Sequence, residues 1–527
     1  MKRLYVPFLL LTLLVAGCEF ENPLDGVNFI IAPSIAPTVV TGQVLNSATG
    51  QVIENVQFTI QFSGPDAGRI VDESRTQISQ LSISGIALFG FGLTGTVPTP
   101  ANPADIRMQI SAPGFLTTSV AIPITGAKVP LRISMVPFNQ ATSGVATTQA
   151  TITPAVGMTV QTPSESVAGG IARLQYLPGT TMTDVNNQPL SGALNVSMAY
   201  FSSASQEATN AFPGGLMGLR VQQNEGTSGN IGTFISGGFA AIEIHDASGR
   251  RARNFSQPVP LTIEVAQGSI NPETNQPVRV GDMVPVYSLN TATGDWVFEG
   301  RGAATGPNAR GNFEVTYNIT HLSYYNLDWF WGDYCQFTPN ITVNFPTGAF
   351  LPDYRFRLSN GTQVLKDGTF TQSLVNFTYA PRNTPVTLEI LEGNTLRSTT
   401  VIPNLCSESP AITVPGTANP PLTVNVTGSV TCPANDVVLR PSNLWIWYRE
   451  VDKGWNSVLL TQGRVTFPNM REGREYDFWV WIKNRWEKQR VTLTANAAVP
   501  PGVTVTRTTT GYDVTVDFTD TDNVICP

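Results

Sequence analysis

From residue 19 onward no stretch of this chain has helical period, and its legible apolar runs alternate instead. Phe58 and Ile60 share one face against Gln57 and Thr59. Ile242 and Ile244 stand against Glu243 and His245, and Leu261, Ile263 and Val265 repeat the spacing. A period of two belongs to strands. Composition pushes the same way. Charged residues are 13% of the chain, about half the usual share, and Thr, Ser, Asn, Val, Gly and Pro fill the gap. β-Branched residues suit a pleated surface, while Gly and Pro break helices. At roughly 100–150 residues per domain, the chain predicts three to five domains. The expected fold is all-β, as tandem β-sandwich modules.

The first eighteen residues are the exception. Met1-Lys2-Arg3 precedes an apolar core from Leu4 to Val15, then Val15-Ala16-Gly17-Cys18. A basic start, a short apolar run and small residues before the cut read as a secretory signal peptide over 1–17. The run is too short to span a bilayer. Its last four residues resemble the lipobox of bacterial lipoproteins. That resemblance implies cleavage before Cys18 and lipidation of its thiol. Each buried methylene adds about 0.8 kcal/mol, so two or more acyl chains anchor stably. Glu19 stands where that family's inner-membrane retention signal would place Asp, so the outer membrane is expected, on its periplasmic or cell-surface face. Residues 18–38 mix Pro, Asn, Asp and Gly and read as a tether.

Residues 39–138 form the first expected module. It opens Thr41-Gly42-Gln43-Val44-Leu45-Asn46-Ser47-Ala48-Thr49-Gly50, with a turn on Thr49-Gly50. With Ala112-Pro113-Gly114-Phe115 and Leu131-Arg132-Ile133-Ser134-Met135, this resembles the carboxypeptidase regulatory-like (transthyretin-like) β-sandwich. Asn46 and Val52 depart from that family's usual Asp and Pro. The resemblance implies a structural or binding module without catalysis. Residues 144–332 are a β-rich middle region, in one unit or two. Gly170–Gly179, the turn Asp184–Pro189, and the end Ile319–Trp329 give an order that resembles the extracellular part of cartilage intermediate layer proteins. That likeness implies a matrix-like, non-enzymatic part. Modules 333–412 and 423–527 read as diverged copies of a small sandwich of immunoglobulin-like class. Val375-Asn376-Phe377 parallels Val465-Thr466-Phe467, and Leu388-Glu389-Ile390 parallels Phe478-Trp479-Val480.

Four cysteines follow Cys18: Cys335, Cys406, Cys432 and Cys526. An exported chain meets an oxidising compartment, so disulfides are expected, and four cysteines allow three connectivities. The Pro-rich linker Val414–Pro421 divides them two and two. The expected pairs are Cys335–Cys406 and Cys432–Cys526, each clasping one module. No close Cys pair or neighbouring His suggests a metal.

Motifs for chemistry are scarce. The two histidines, His245 and His321, sit in neither H-x-H nor H-E-x-x-H. There is no G-x-S-x-G elbow and no phosphate-binding loop. His321 lies near Ser323 and Asp328; spacing alone does not exclude a triad, but a His at a strand end bonded to a neighbouring loop is the expected reading. Asp517, Asp520, Asp522 and Asn523, and Asp184 with Asn186 and Asn187, lack the spacing of a calcium loop. Turn chemistry accounts for both groups. No metal or other cofactor is expected. Net charge is −7 with no basic cluster, so nucleic acid is not an expected partner.

Six of the nine tryptophans lie in the last module. In Leu444-Trp445-Ile446-Trp447-Tyr448 and Phe478-Trp479-Val480-Trp481-Ile482, alternation puts one apolar set inward. Trp445, Trp447, Trp479 and Trp481 go to the other face. Those four are the candidate ligand-binding residues, because indole covers the apolar face of a sugar ring and keeps one N–H donor. The same four could instead fill a second core layer, under a loop, a neighbouring strand or the preceding module, since tryptophan is usually largely buried. The expected function is a non-catalytic envelope lipoprotein that adheres or scaffolds, partnered by the membrane and by a glycan, envelope or matrix protein. A glycan-binding role in polysaccharide uptake and a hydrolase with an unrecognised site are the alternatives.

Overall fold

Three separate stretches of this chain fold into the same seven-stranded sandwich. The computed structural model describes residues 30–31 and 36–519, except 154–155, 164–168, 213–214, 224–228, 417–421, 434–436, 483–484, 495–501 and seven single positions. Residues 1–17, expected to be a signal peptide, and Cys18 and Cys526 lie outside the described residues. Almost everything described is strand or turn. The one α-helix among the described residues is Gln206–Asn210, where the Ser205 hydroxyl caps the Ala208 N–H.

In each sandwich the opening strand is central to one sheet. These strands are Thr38–Asn46, Asn340–Asn344 and Leu422–Cys432. Each pairs antiparallel with the module's fourth principal strand (Leu88–Leu93, Leu374–Asn376, Arg464–Met470). Each pairs parallel with the last (Lys128–Met135, Ala411–Thr413, Gly511–Thr519). The other sheet runs in the order third, second, fifth, sixth. That is Gln80–Ile86, Glu54–Ser63, Ala104–Ser111, Thr118–Ile124 in the first module. It is Gln363–Thr369, Tyr354–Asn360, Val386–Glu392, Thr395–Ile402 in the third, and Asn456–Leu460, Leu444–Glu450, Glu475–Ile482, Arg485–Thr492 in the terminal one. The expected kinship of the last two modules therefore extends, as topology, to the first.

Alternation builds each core. Phe58, Ile60 and Phe62 meet Phe89, Phe91 and Leu93 inside the first module. Its opening turn closes as read: the Thr49 and Gly50 N–H groups donate to the Asn46 carbonyl at 3.2 and 2.8 Å. Gly50 has φ +68°, a conformation that glycine enters without steric cost. In the third module Cys335 and Cys406 are bonded, with Cα atoms 5.3 Å apart. Cys432 is also in a disulfide.

The middle region is one twelve-stranded sheet. Its long strands Asn230–His245 and Asp295–Thr305 carry pairing from one end to the other. The sheet doubles back, so that Val196 and Ile242 share a core with Leu174 and Ile263. Its opposite face is not solvated. Phe212, Phe234 and Trp296 join the third module's Phe356, Leu358 and Leu388 in a single apolar cluster. Gln363 fixes that junction by bonding the Ser236 N–H and carbonyl, both at 2.9 Å.

The modules fold back on one another and do not hang in series. Ile30 and Ile31, within the stretch expected to be a tether, pair in parallel with Val438 and Leu439 of the terminal module. Arg220 of the middle region reaches Asp105 of the first module at 2.9 Å. Between third and terminal modules, Arg471 lies 3.5 Å from Asp353 and 2.7 Å from Glu450. Burial pushes the Asp353 carboxyl up to about 6, and Lys453 and Arg471 only partly offset it. A raised carboxyl pKa means that the folded state holds the proton more tightly. Asp353 therefore stabilises least once pH has risen through about 4 to 6. Asp353→Asn should gain on the wild type across that window, by roughly 3 kcal/mol for about two pKa units. Urea midpoints of both proteins at pH 4 and pH 7.5 check this. A constant difference between them would refute it.

Candidate functional site

The terminal module's second sheet has two apolar faces. Ile446, Tyr448 and Phe478 enter its own core with Val465 and Phe467. Trp445, Trp447 and Trp479 go to the opposite face, as alternation requires, and Trp447 stands directly across from Trp479. Trp481 pairs with Trp486 one step along.

That second face is covered, and the open aromatic surface expected of these residues is absent. Trp445 and Trp447 are 7% and 2% exposed, and with Trp455 they pack on Val39, Ile86 and Leu88 of the first module. Trp481 and Trp486 are half-buried against the first module's core. The physical reason is a groove that glycine leaves in the first module. In Leu88-Phe89-Gly90-Phe91-Gly92-Leu93 the phenylalanines point inward. A Cβ placed on outward-facing Gly90 would sit 2.5 Å from Trp445 Cδ1 and Nε1. Mid-strand glycine marks a close approach of this kind. Polar groups lock the register: Gln43 Nε2 donates to the Trp455 carbonyl at 2.9 Å, and Ser457 and Thr41 hydroxyls meet at 3.0 Å. Trp479, half-buried, carries the Lys488 ammonium 4.0 Å above its ring.

Beside this docked face lies a cleft of about 880 Å³ where the first, third and terminal modules meet. Trp445, Trp447, Trp455 and Tyr448 lie behind one wall, none more than 7% exposed. Gln43, Thr41, Asn456, Ser457, Thr466 and Asn469 supply amides and hydroxyls, and Lys128 the cation from the first module. Two sheet-edge strands, Lys128–Met135 and Asn456–Leu460, border it. Sequence reading named the tryptophans but missed the cleft, because its walls are separated by hundreds of residues in the chain.

The residues weighed for catalysis are engaged elsewhere. His321 Nε2 lies 3.8 Å from Glu299, which accepts from Ser288 Oγ at 2.6 Å. Ser323 donates to the Leu289 carbonyl. Asp328 is fully buried and bonded by Asn326, and burial pushes its carboxyl well above the usual range. His245 lies 3.9 Å from Glu243. The buried Glu264 carboxylate is held by Asn308 and Asn312 at 2.7 and 2.9 Å and by Arg310. Asp184 caps its own turn, accepting from the Asn186 and Gln188 N–H groups at 2.9 Å. Asp517 accepts from Ser429, while Asp520, Asp522 and Asn523 lie outside the described residues. Among the described residues no three His, Cys, Asp or Glu side chains gather as a metal site.

No protein-family model matches the chain, and no curated protein matches it. Three solved structures illustrate what it is similar to. The C-terminal fragment of the pilus adhesin SpaC from Lactobacillus rhamnosus GG is 10% identical over 35% of this chain and 97% of that one, with TM-score 0.14. The Bacillus anthracis TIE protein is 11% identical over 92% and 75%, with TM-score 0.14. The Streptococcal ancillary pilin is 12% identical over 43% and 95%, with TM-score 0.13. At such TM-scores these likenesses carry no argument for this chain.

Proposed function

We propose that the protein is a non-catalytic binding protein of the bacterial cell envelope, an adhesin or scaffold held at the outer membrane by lipid on Cys18. Its ligand occupies the cleft between the first, third and terminal modules. The observation that carries this reading is the cleft itself, large enough for an oligomeric ligand and lined by amide and hydroxyl groups. The tryptophans serve it indirectly. By docking the terminal module on the first, they set the distance between its walls.

The chemistry of those walls favours a glycan chain over a protein partner. The accessible amides and hydroxyls of Gln372, Asn456, Ser457, Thr466 and Asn469 suit sugar hydroxyls. Gln372 lines the cleft and is exposed, so a larger side chain there obstructs the ligand and leaves the docked face alone. Gln372→Trp should abolish retention on an immobilised polysaccharide panel with a melting temperature within about 1 °C of wild type, as expected of a surface change. Unchanged retention of Gln372→Trp on a glycan that wild type binds would place the ligand elsewhere.

A further inference from the structure

A second cavity, about 390 Å³, lies where the first and third modules meet the middle region. Three charged side chains line it, Arg132 and Lys366 against Asp367. On the third module's outer face, Arg355, Arg357, Asp367 and Glu389 form a cross-strand ladder. Arg132 of the first module reaches into it. Asp367 faces Arg355 at 3.1 Å, Arg132 at 3.6 Å and Arg357 at 3.8 Å, and Glu389 faces Arg357 at 3.7 Å. Three guanidinium groups thus share two carboxylates. Lys366, next to Asp367 on the same strand, pairs with Leu358 and so leaves the sheet on the face opposite the ladder, yet it also lines the cavity.

Arg132 is the most costly member. Its Nε is buried without a hydrogen-bond partner, and 3.6 Å to Asp367 is an ion contact too long for a hydrogen bond. Leaving that donor unmet away from water is unfavourable. Burial depresses the proton affinity of both Arg132 and Lys366. Both side chains line the cavity, and the rest of its wall includes Val120, Ile122, Met217 and Leu219.

We propose that this cavity binds a small organic anion, a carboxylate with an apolar body. The carboxylate is drawn to Arg132 and Lys366, and the body rests on the apolar wall. A planar carboxylate matches the guanidinium fork. The apolar lining selects against small, strongly hydrated anions, and the volume sits at the lower end of small-molecule sites. This site adjoins the cleft proposed for the glycan, with Val129, Pro130, Leu131, Thr369 and Phe370 lining both, but neither reading depends on the other.

The probe is sodium octanoate, with octanol and sodium sulfate as controls, read by thermal shift on the full mature chain. Octanoate should raise the melting temperature saturably, and octanol and sulfate should not. Lys366→Met should weaken the octanoate response by about tenfold or more, the weight of one charged hydrogen bond. Arg132→Gln should also weaken the response. No octanoate shift in wild type overturns the proposal. So do an equal shift with octanol, an equal shift with sulfate, or an undiminished response in Lys366→Met.

Discussion

Trp447→Ala should cost about 3–5 kcal/mol of stability, the range for removing a buried large aromatic. Gly90→Val should part the first and terminal modules while each keeps its own core. Trp447 is 2% exposed and stands in a layer built from both modules. Its loss opens a cavity that neither rigid sheet can collapse to fill. Gly90 offers the complementary test, since even one added carbon would sit 2.5 Å from the Trp445 indole. Valine adds three, and the indole has strands behind it. Urea unfolding followed by tryptophan emission reads both effects. Gly90→Val should red-shift the folded emission as Trp445, Trp447 and Trp455 become wet, and limited proteolysis should release a terminal fragment. The pair also makes a cycle: Trp445→Ala frees the space that valine needs, so the double variant should lose less than the sum of the singles. A Gly90→Val protein with wild-type emission and midpoint would mean that the two sheets do not meet as described.

The sequence showed the two faces of that sheet but not what covers the second. Alternation alone sorts Ile446 and Tyr448 from Trp445 and Trp447, because period two is a local property of strand backbone. The cover comes from strands some 400 residues earlier: Gln43 bonds Trp455 across a separation of 412. No local pattern encodes such a contact. Thr38–Asn46 shows why. Its residues from Thr38 to Leu45 are all buried, yet outward Thr41 and Gln43 are polar, the signature of a face meeting water. They are tolerated because Ser457 and the Trp455 carbonyl satisfy them. Gly90 and Gly92, alternating with inward phenylalanines, were the readable clue, since a strand sheds side chains on one face where something must approach. The cleft had no comparable clue. Gln43, Lys128, Gln372 and Asn469 are ordinary polar residues until three modules bring them together.

Reducing the Cys335–Cys406 bond should have an effect of similar size by a different route. The bond closes a separation of 71 residues, and in the chain-entropy model that constraint on the unfolded chain is worth about 4 kcal/mol. The folded module changes little by comparison. Cys335 is buried in the large shared cluster, Cys406 packs against it, and the strands between them keep their pairing. The third module's apolar cluster is continuous with the middle region's, so its loosening should propagate. A Cys335→Ala/Cys406→Ala protein should lose stability in the third module and middle region together, while the first module's separate core, built on Phe58 and Ile60, holds. Hydrogen exchange resolves this by segment. Protection should fall in 340–413 and in Asn230–His245, and stay in Thr38–Asn46 and Glu54–Ser63. If protection falls in the third module alone, the cluster that joins it to the middle region is not a cooperative unit, and the cavity bounded by Arg132 and Lys366 would then lie on a hinge.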